Sequence, residues 1–176
     1  MQHADDETAL ASGTVPALRE PAHLVSPRAV RLWTVRALVG SLVPLAAQIA
    51  WWVVDDAPDR SIHVVVGIAW AALTAAYAIV MPRWRYRVHR WEATPVAIYT
   101  QSGWLSQERR IAPVSRVQTV DLHRGPLAQL FGLASVTVTT ASAAGPLEID
   151  GLDLRTARDL VDSLTEATVA ELGDAT

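Results

Sequence analysis

The sequence predicts a membrane α-helical hairpin followed by a small, mostly β domain that ends in one helix. Three observations carry that prediction. Two runs, residues 37–54 and 61–81, contain no Asp, Glu, Lys or Arg. After Pro82 the hydrophobic period changes from helical to two. Towards the C-terminus Leu154, Ala157, Val161, Leu164 and Thr168 recur at spacings of three and four, which places them on one helix face.

Composition supports the membrane assignment. The 176-residue chain is 51% hydrophobic and 19% charged, against about 25% charge in ordinary soluble domains. Between residues 37 and 81 the only charged side chains are Asp55, Asp56, Asp59 and Arg60. This excludes a purely soluble domain and a disordered chain. A net charge of −3 argues against nucleic acid as a partner. The absence of Cys removes disulfides, thiol catalysis and cysteine–metal sites.

Residues 1–27 mix acids, Ala, Gly and Pro without period and predict a mobile tail. Asp5, Asp6 and Glu7 do not fit the basic start of a signal peptide, so the first apolar segment is expected to stay in the mature protein. Pro27 opens an amphipathic lead-in with Arg28, Arg31, Trp33 and Arg36. Residues 28–82 then form the hairpin. A spanning helix needs about 20 apolar residues, and both runs meet that length. Pro44 lacks an N–H and predicts a kink in the first span. Gly67, Ala71 and Ala75 recur every four residues and predict a close helix-packing seam, although Ala-rich composition explains the stripe equally well.

The joint at residues 55–60 is too short for anything but an antiparallel hairpin. Arg19, Arg28, Arg31 and Arg36 precede the first span, Arg83, Arg85, Arg87 and Arg90 follow the second, and the joint holds only Arg60. The positive-inside rule therefore predicts a multi-pass plasma-membrane protein with both termini cytoplasmic. Trp51 and Trp52 fit the outer interface, and Trp33, Trp84 and Tyr86 the inner one.

Residues 83–172 are expected to form the cytoplasmic domain. Residues 84–92 alternate polar and apolar side chains, as a strand does. Thr94, Val96, Ile98 and Thr100 share the face of another strand, residues 101–103 turn, and residues 104–112 return. Pro113 ends that strand. Residues 117–123 form the next, Gly125 and Pro126 break it, and residues 127–131 make a short apolar turn. The Val- and Thr-rich stretch 133–140 is a strong strand signal. Residues 144–146 turn and 147–150 pair back. Asp153 is placed to cap a helix running to about residue 172, leaving 173–176 as a tail.

Pro113, Ser115, Arg116, Val117, Gln118, Gly125, Pro126, Leu130, Phe131 and Gly132, in that order and leading into a Val/Thr-rich strand, resemble the bacterial pleckstrin-homology (PH) domain of YdbS-like membrane proteins. The resemblance covers about residues 31–164, the pair of spans included. It implies a PH-like barrel of two bent antiparallel sheets, closed at one end by the C-terminal helix. It also implies a non-enzymatic membrane protein with a scaffolding role. For some members it implies a link to envelope stress or resistance to secreted bacteriocins, and a larger partner carrying several such domains.

No catalytic pattern contradicts this. The five His at positions 3, 23, 63, 89 and 123 include no i, i+4 pair, and no HExxH, P-loop, GxSxG or GxGxxG occurs. The expectation is no enzyme activity, no metal and no cofactor. His63 reads as an interfacial side chain wetted by the short joint rather than as a proton-linked group.

The positive signal is Arg. If residues 84–89 form a strand, Arg83, Arg85 and Arg87 project to one side. With Arg90 and Arg116, they are the candidates for lipid headgroups or an interface. Arg109, Arg110 and Arg124 add to the count. A juxtamembrane base gains about 1 kcal/mol near an anionic leaflet. The positive-inside rule alone explains the first four, and Arg116 suits a structural bond, to Asp121 or a carbonyl, as well as recognition. Leu127, Leu130 and Phe131 are expected to plug the barrel.

The leading expectation is a membrane-anchored interaction or scaffolding module whose partners are membrane lipids, a larger multi-PH-domain relative or a second copy of itself. The alternatives are an anionic-lipid sensor and an accessory subunit of a transporter or export complex.

Overall fold

The computed structural model describes residues 20–142 and 145–174. The predicted tail over residues 1–19, part of the 144–146 turn and the last two residues lie outside the described residues.

Helix α1 (Arg28–Gly40) and helix α2 (Leu42–Val54) follow each other with one interruption, at Ser41. Pro44 causes it one turn upstream. Its ring crowds the carbonyl four residues back, that of Gly40, and it has no N–H to bond there. Together they make a 27-residue helical stretch, Arg28–Val54, that contains an apolar window of spanning length, and helix α3 (Ser61–Val88) is 28 residues long. Each is long and apolar enough to cross a membrane.

Helix α3 runs seven residues beyond the predicted end of the span. The alternation read as a strand over residues 84–92 is helix up to Val88, and β2 (Arg90–Ala93) is short. Packing overrides the local pattern here: Ala78, Met81, Pro82 and Val88 are all buried on one side of α3. Pro82 leaves the Ala78 carbonyl without its usual N–H, and the Thr34 hydroxyl of α1 lies 3.5 Å from that oxygen.

The predicted small-residue seam is not the one used. Ala71 and Ala75 are exposed, and a Cβ on Gly67 would meet nothing within 4 Å. The face of α3 turned inwards instead carries His63, Trp70, Thr74 and Ala78. The two spans meet at both ends. At the domain end Thr34 approaches Ala78, and at the loop end the Gln48 side chain donates to the His63 carbonyl at 3.2 Å.

The domain holds two antiparallel sheets. The first has the order β1 (His23–Leu24), β2, β3 (Ala97–Gly103), β4 (Gln107–Pro113). The second is β5 (Val117–His123), β6 (Leu133–Thr140), β7 (Leu147–Asp153). Helix α4 (Pro126–Leu130) joins β5 to β6, and helix α5 (Leu154–Asp174) packs on the second sheet.

Strand β1 corrects the predicted tail. His23 and Leu24 pair with Trp91 and Arg90, and the Ser26 N–H donates to the Gly151 carbonyl at 2.9 Å. The hairpin turn also lies three residues later than predicted, at 104–106. Gly103 permits it: its φ is +113°, and a Cβ there would fall 1.8 Å from the Ser106 carbonyl oxygen. Strand β7 is longer than expected and absorbs Asp153, whose carboxylate pairs with Arg28 at 3.2 Å.

The core is formed by Ile98, Val114, Leu133, Val136, Val138 and Leu152, with Ala157, Leu160 and Leu164 from α5. Ala29, Leu32 and Trp33 belong to the same cluster. The first turns of the membrane helix are therefore part of the barrel interior. Leu130 is not a plug, being 80% exposed, while Leu127 and Phe131 pack partly against the core.

Candidate functional site

The most organised polar cluster lies where α1 and α3 enter the barrel. Trp33, on the apolar stripe Ala29–Leu32–Trp33 of α1, is 1% exposed. It was expected at a lipid interface; the barrel covers it instead. The Arg85 guanidinium lies over its ring at 4.5 Å, and the His89 ring meets it edge-on at 5.2 Å. Such a cation–π contact is worth about 2 kcal/mol when desolvated.

The Arg85 guanidinium has two further anchors. Its Nη2 donates to Asp150 Oδ2 at 3.1 Å, and its Nε donates to His89 Nε2 at 3.2 Å. The other carboxylate oxygen of Asp150 accepts from the Ser135 hydroxyl at 2.7 Å. His89 Nδ1 lies 2.9 Å from the Arg85 carbonyl. A carbonyl only accepts, so Nδ1 carries the proton and Nε2 presents its lone pair to Arg85. Burial, then the neighbouring guanidinium, depress the His89 pKa to about 4. The ring is neutral at pH 7, and the cluster ties α3 to β6 and β7 through one shared arginine.

The predicted arginine face is divided by the helix. At 100° per residue Arg83 and Arg87 share a side, and Arg85 points the other way. Arg83 and Arg87 are exposed, with Arg83 Nη1 bonding the Ile79 carbonyl one turn back. Arg90, on β2, pairs with Glu20 at 3.8 Å. Arg116 sits in the 3-10 turn Val114–Arg116, exposed; its carbonyl accepts the Ala141 N–H, and its side chain has no partner among the described residues. The predicted pairing with Asp121 does not form; that carboxylate takes the Thr119 hydroxyl.

The remaining motif residues build connections. Pro113 closes β4, Ser115 is exposed in the 3-10 turn, and Gln118 lies at the irregularity between Val117 and Thr119. Gly125 precedes α4 and Pro126 is its first residue, a position where the missing N–H costs nothing. Gly132, at φ +67°, ends α4 in the left-handed conformation and its carbonyl receives the Leu154 N–H.

A second polar pair lies at the far end of the hairpin. His63 is 1% exposed beneath Trp51 and Trp52, with ring centroids 4.0 and 5.3 Å away. Its Nε2 is 2.6 Å from Asp55 Oδ2. The joint covers this histidine rather than wetting it. The Asp55 carboxyl is held below its ordinary pKa, chiefly by the Ala57 N–H and then by His63.

The sequence did not reveal Trp33, His89, Asp150, Ser135 or Gly151 as a unit. The signal available was the i, i+3, i+4 spacing of Ala29, Leu32 and Trp33 among arginines. It marks a buried helix face just ahead of the span.

Comparison with known proteins agrees with this architecture. A family model described as bacterial PH domain matches residues 34–168. The chain is 30% identical over 148 residues to the UPF0699 transmembrane protein YdbS of Bacillus subtilis (strain 168), covering 83% of this chain and 92% of that protein. No solved structure matches. With two apolar helices of spanning length joined to paired antiparallel sheets and a C-terminal helix, this chain belongs to the bacterial PH domain family, as a YdbS-like membrane protein.

Proposed function

We propose that this chain is a non-enzymatic scaffold that holds a PH-like interaction module against the inner face of the plasma membrane, with both termini cytoplasmic. The observation that carries the reading is the outer edge of β4. It is the last strand of its sheet, seven residues long, with no strand beside it among the described residues. Ile111 on this strand is 47% exposed. Such an edge accepts a partner strand through main-chain hydrogen bonds, with side-chain contacts adding selectivity. The partner is a membrane protein carrying further domains of this kind, or a second copy.

The chain has no cysteine, so one can be introduced cleanly. Ile111→Cys, labelled with a benzophenone maleimide and irradiated in native membranes, should yield one discrete adduct, since the photo-activated end inserts into any adjacent C–H bond. Persistence of the monomer alone, with the thiol shown to be reactive, would overturn the reading. Topology is tested separately: Asp56→Cys should react with an impermeant maleimide in intact cells, and Gln118→Cys only after permeabilisation.

A further inference from the structure

Between their two meeting points the spans diverge and enclose a groove of about 670 Å³. Its walls are Gly40, Pro44, Trp70, Leu73 and Thr74, all at membrane depth, and Arg36 stands at the end nearest the domain. A second, polar crevice of about 270 Å³ continues from it. The two share Tyr77, Met81 and Arg85, and the crevice adds Glu148 and Asp150 of β7. From Arg36 to Pro44 is eight helical residues, about 12 Å of apolar wall.

The charges along this path are ordered. Arg36 is exposed and has no side-chain partner among the described residues. Arg85 shares its charge with Asp150. Beyond Arg85, Glu148 lines the crevice and is exposed. Moving outwards from the membrane, the path therefore offers an apolar slot, then Arg36, then Arg85 paired with Asp150, then Glu148. A slot with a few placed polar groups is the usual form of a small-molecule site, and bases between membrane helices are suited to lipid headgroups.

We propose that this path binds one glycerophospholipid with an amine headgroup, taken from the leaflet next to the domain. One acyl chain fills the groove and the other stays in the bilayer, the phosphate sits between Arg36 and Arg85, and the primary ammonium donates to Glu148. The glycerol head of phosphatidylglycerol can donate hydroxyl hydrogen bonds to Glu148 but brings no positive charge to pair with it, so it gains less there than an ammonium does. A quaternary ammonium has no N–H to donate to a carboxylate.

The test uses the full chain in detergent, supplied with equimolar phosphatidylethanolamine, phosphatidylglycerol and phosphatidylcholine, and read by native mass spectrometry. One phosphatidylethanolamine per chain should be retained. Arg36→Gln should reduce that retention by about tenfold, the loss expected for one charge-assisted contact. Gly40→Leu should reduce it as well, since a side chain at Gly40 meets no protein atom within 4 Å and projects into free space. Glu148→Gln should abolish the preference among the three lipids while leaving binding. Arg87→Gln, on the other side of α3, should change nothing. Equal retention of the three lipids, no retention, or an equal loss with Arg87→Gln would overturn the proposal.

Discussion

Gly151 and Ala29 set how closely the membrane helix approaches the barrel. Gly151 has a φ of +77°, and a Cβ there would stand 2.8 Å from the Ala29 Cβ and 3.5 Å from Trp33 Cζ2. The position requires glycine twice over, for its backbone conformation and for the contact. Left-handed backbone costs an L-residue about 1–2 kcal/mol, and overpacking a core adds about 1–3 kcal/mol. Gly151→Ala should therefore destabilise the protein by about 2–5 kcal/mol, read as a lowered thermal midpoint by near-UV circular dichroism in detergent.

The arginines at the end of α3 should separate sharply. Arg83→Gln and Arg87→Gln alter exposed side chains and should change stability by less than about 0.5 kcal/mol. Arg85→Gln removes the cation from Trp33 and strands Asp150 with Ser135 as its remaining partner. A half-buried charge pair that loses one member costs about 1–3 kcal/mol. Equilibrium unfolding of the three variants side by side checks the contrast.

His89 gives stability a pH dependence of known sign. Its pKa is about 4 in the folded protein against an ordinary value of 6.5. Between those values the unfolded chain binds the additional proton, so stability falls as pH falls from about 6.5 towards 4, and this contribution is fully present above 6.5. For one proton the slope is at most about 1.4 kcal/mol per pH unit. Thermal midpoints across that window should decline in the native protein and decline less in His89→Gln.

The β3–β4 turn should reach the membrane surface. Trp104 packs edge-on against Tyr77 of α3, with ring centroids 5.9 Å apart, and Leu105 beside it is 83% exposed. Tyr77 lies within the spanning stretch, so the turn sits level with lipid. A nitroxide on Leu105→Cys should be protected from a water-soluble relaxation agent and accessible to oxygen, while one on Gln118→Cys shows the reverse.

The elements legible in the sequence were those whose local pattern and tertiary role agree. The two spans are uncharged along their length. Strands β5 and β6 sit between Pro and Gly breakers, and the stripe on α5 matches the face that packs. The failures were places where long-range contact outweighs local pattern. Residues 84–88 alternate like a strand but continue α3, because Met81, Pro82 and Val88 are buried against the rest of the fold. His23 and Leu24 have no strand signal of their own and pair only because β2 supplies an edge. Ala71 and Ala75 look like a packing seam by spacing, yet the larger Trp70 and Thr74 occupy the inner face. The arginines were visible one by one, but their division into exposed Arg83 and Arg87 and inward Arg85 follows from the helix that the pattern concealed.

The central claim is that the membrane helices and the barrel are one folding unit, since Ala29, Leu32 and Trp33 fill the core. Burying a Trp alone contributes about 3–5 kcal/mol by the cost of truncating it, a large part of the stability of a small domain. The most direct test is to produce residues 90–174 alone, without α1 to α3, and follow near-UV circular dichroism on heating. The fragment should show no cooperative transition and should bind a hydrophobic dye strongly. A sharp cooperative transition, with ordered aromatic signals before it, would contradict that claim.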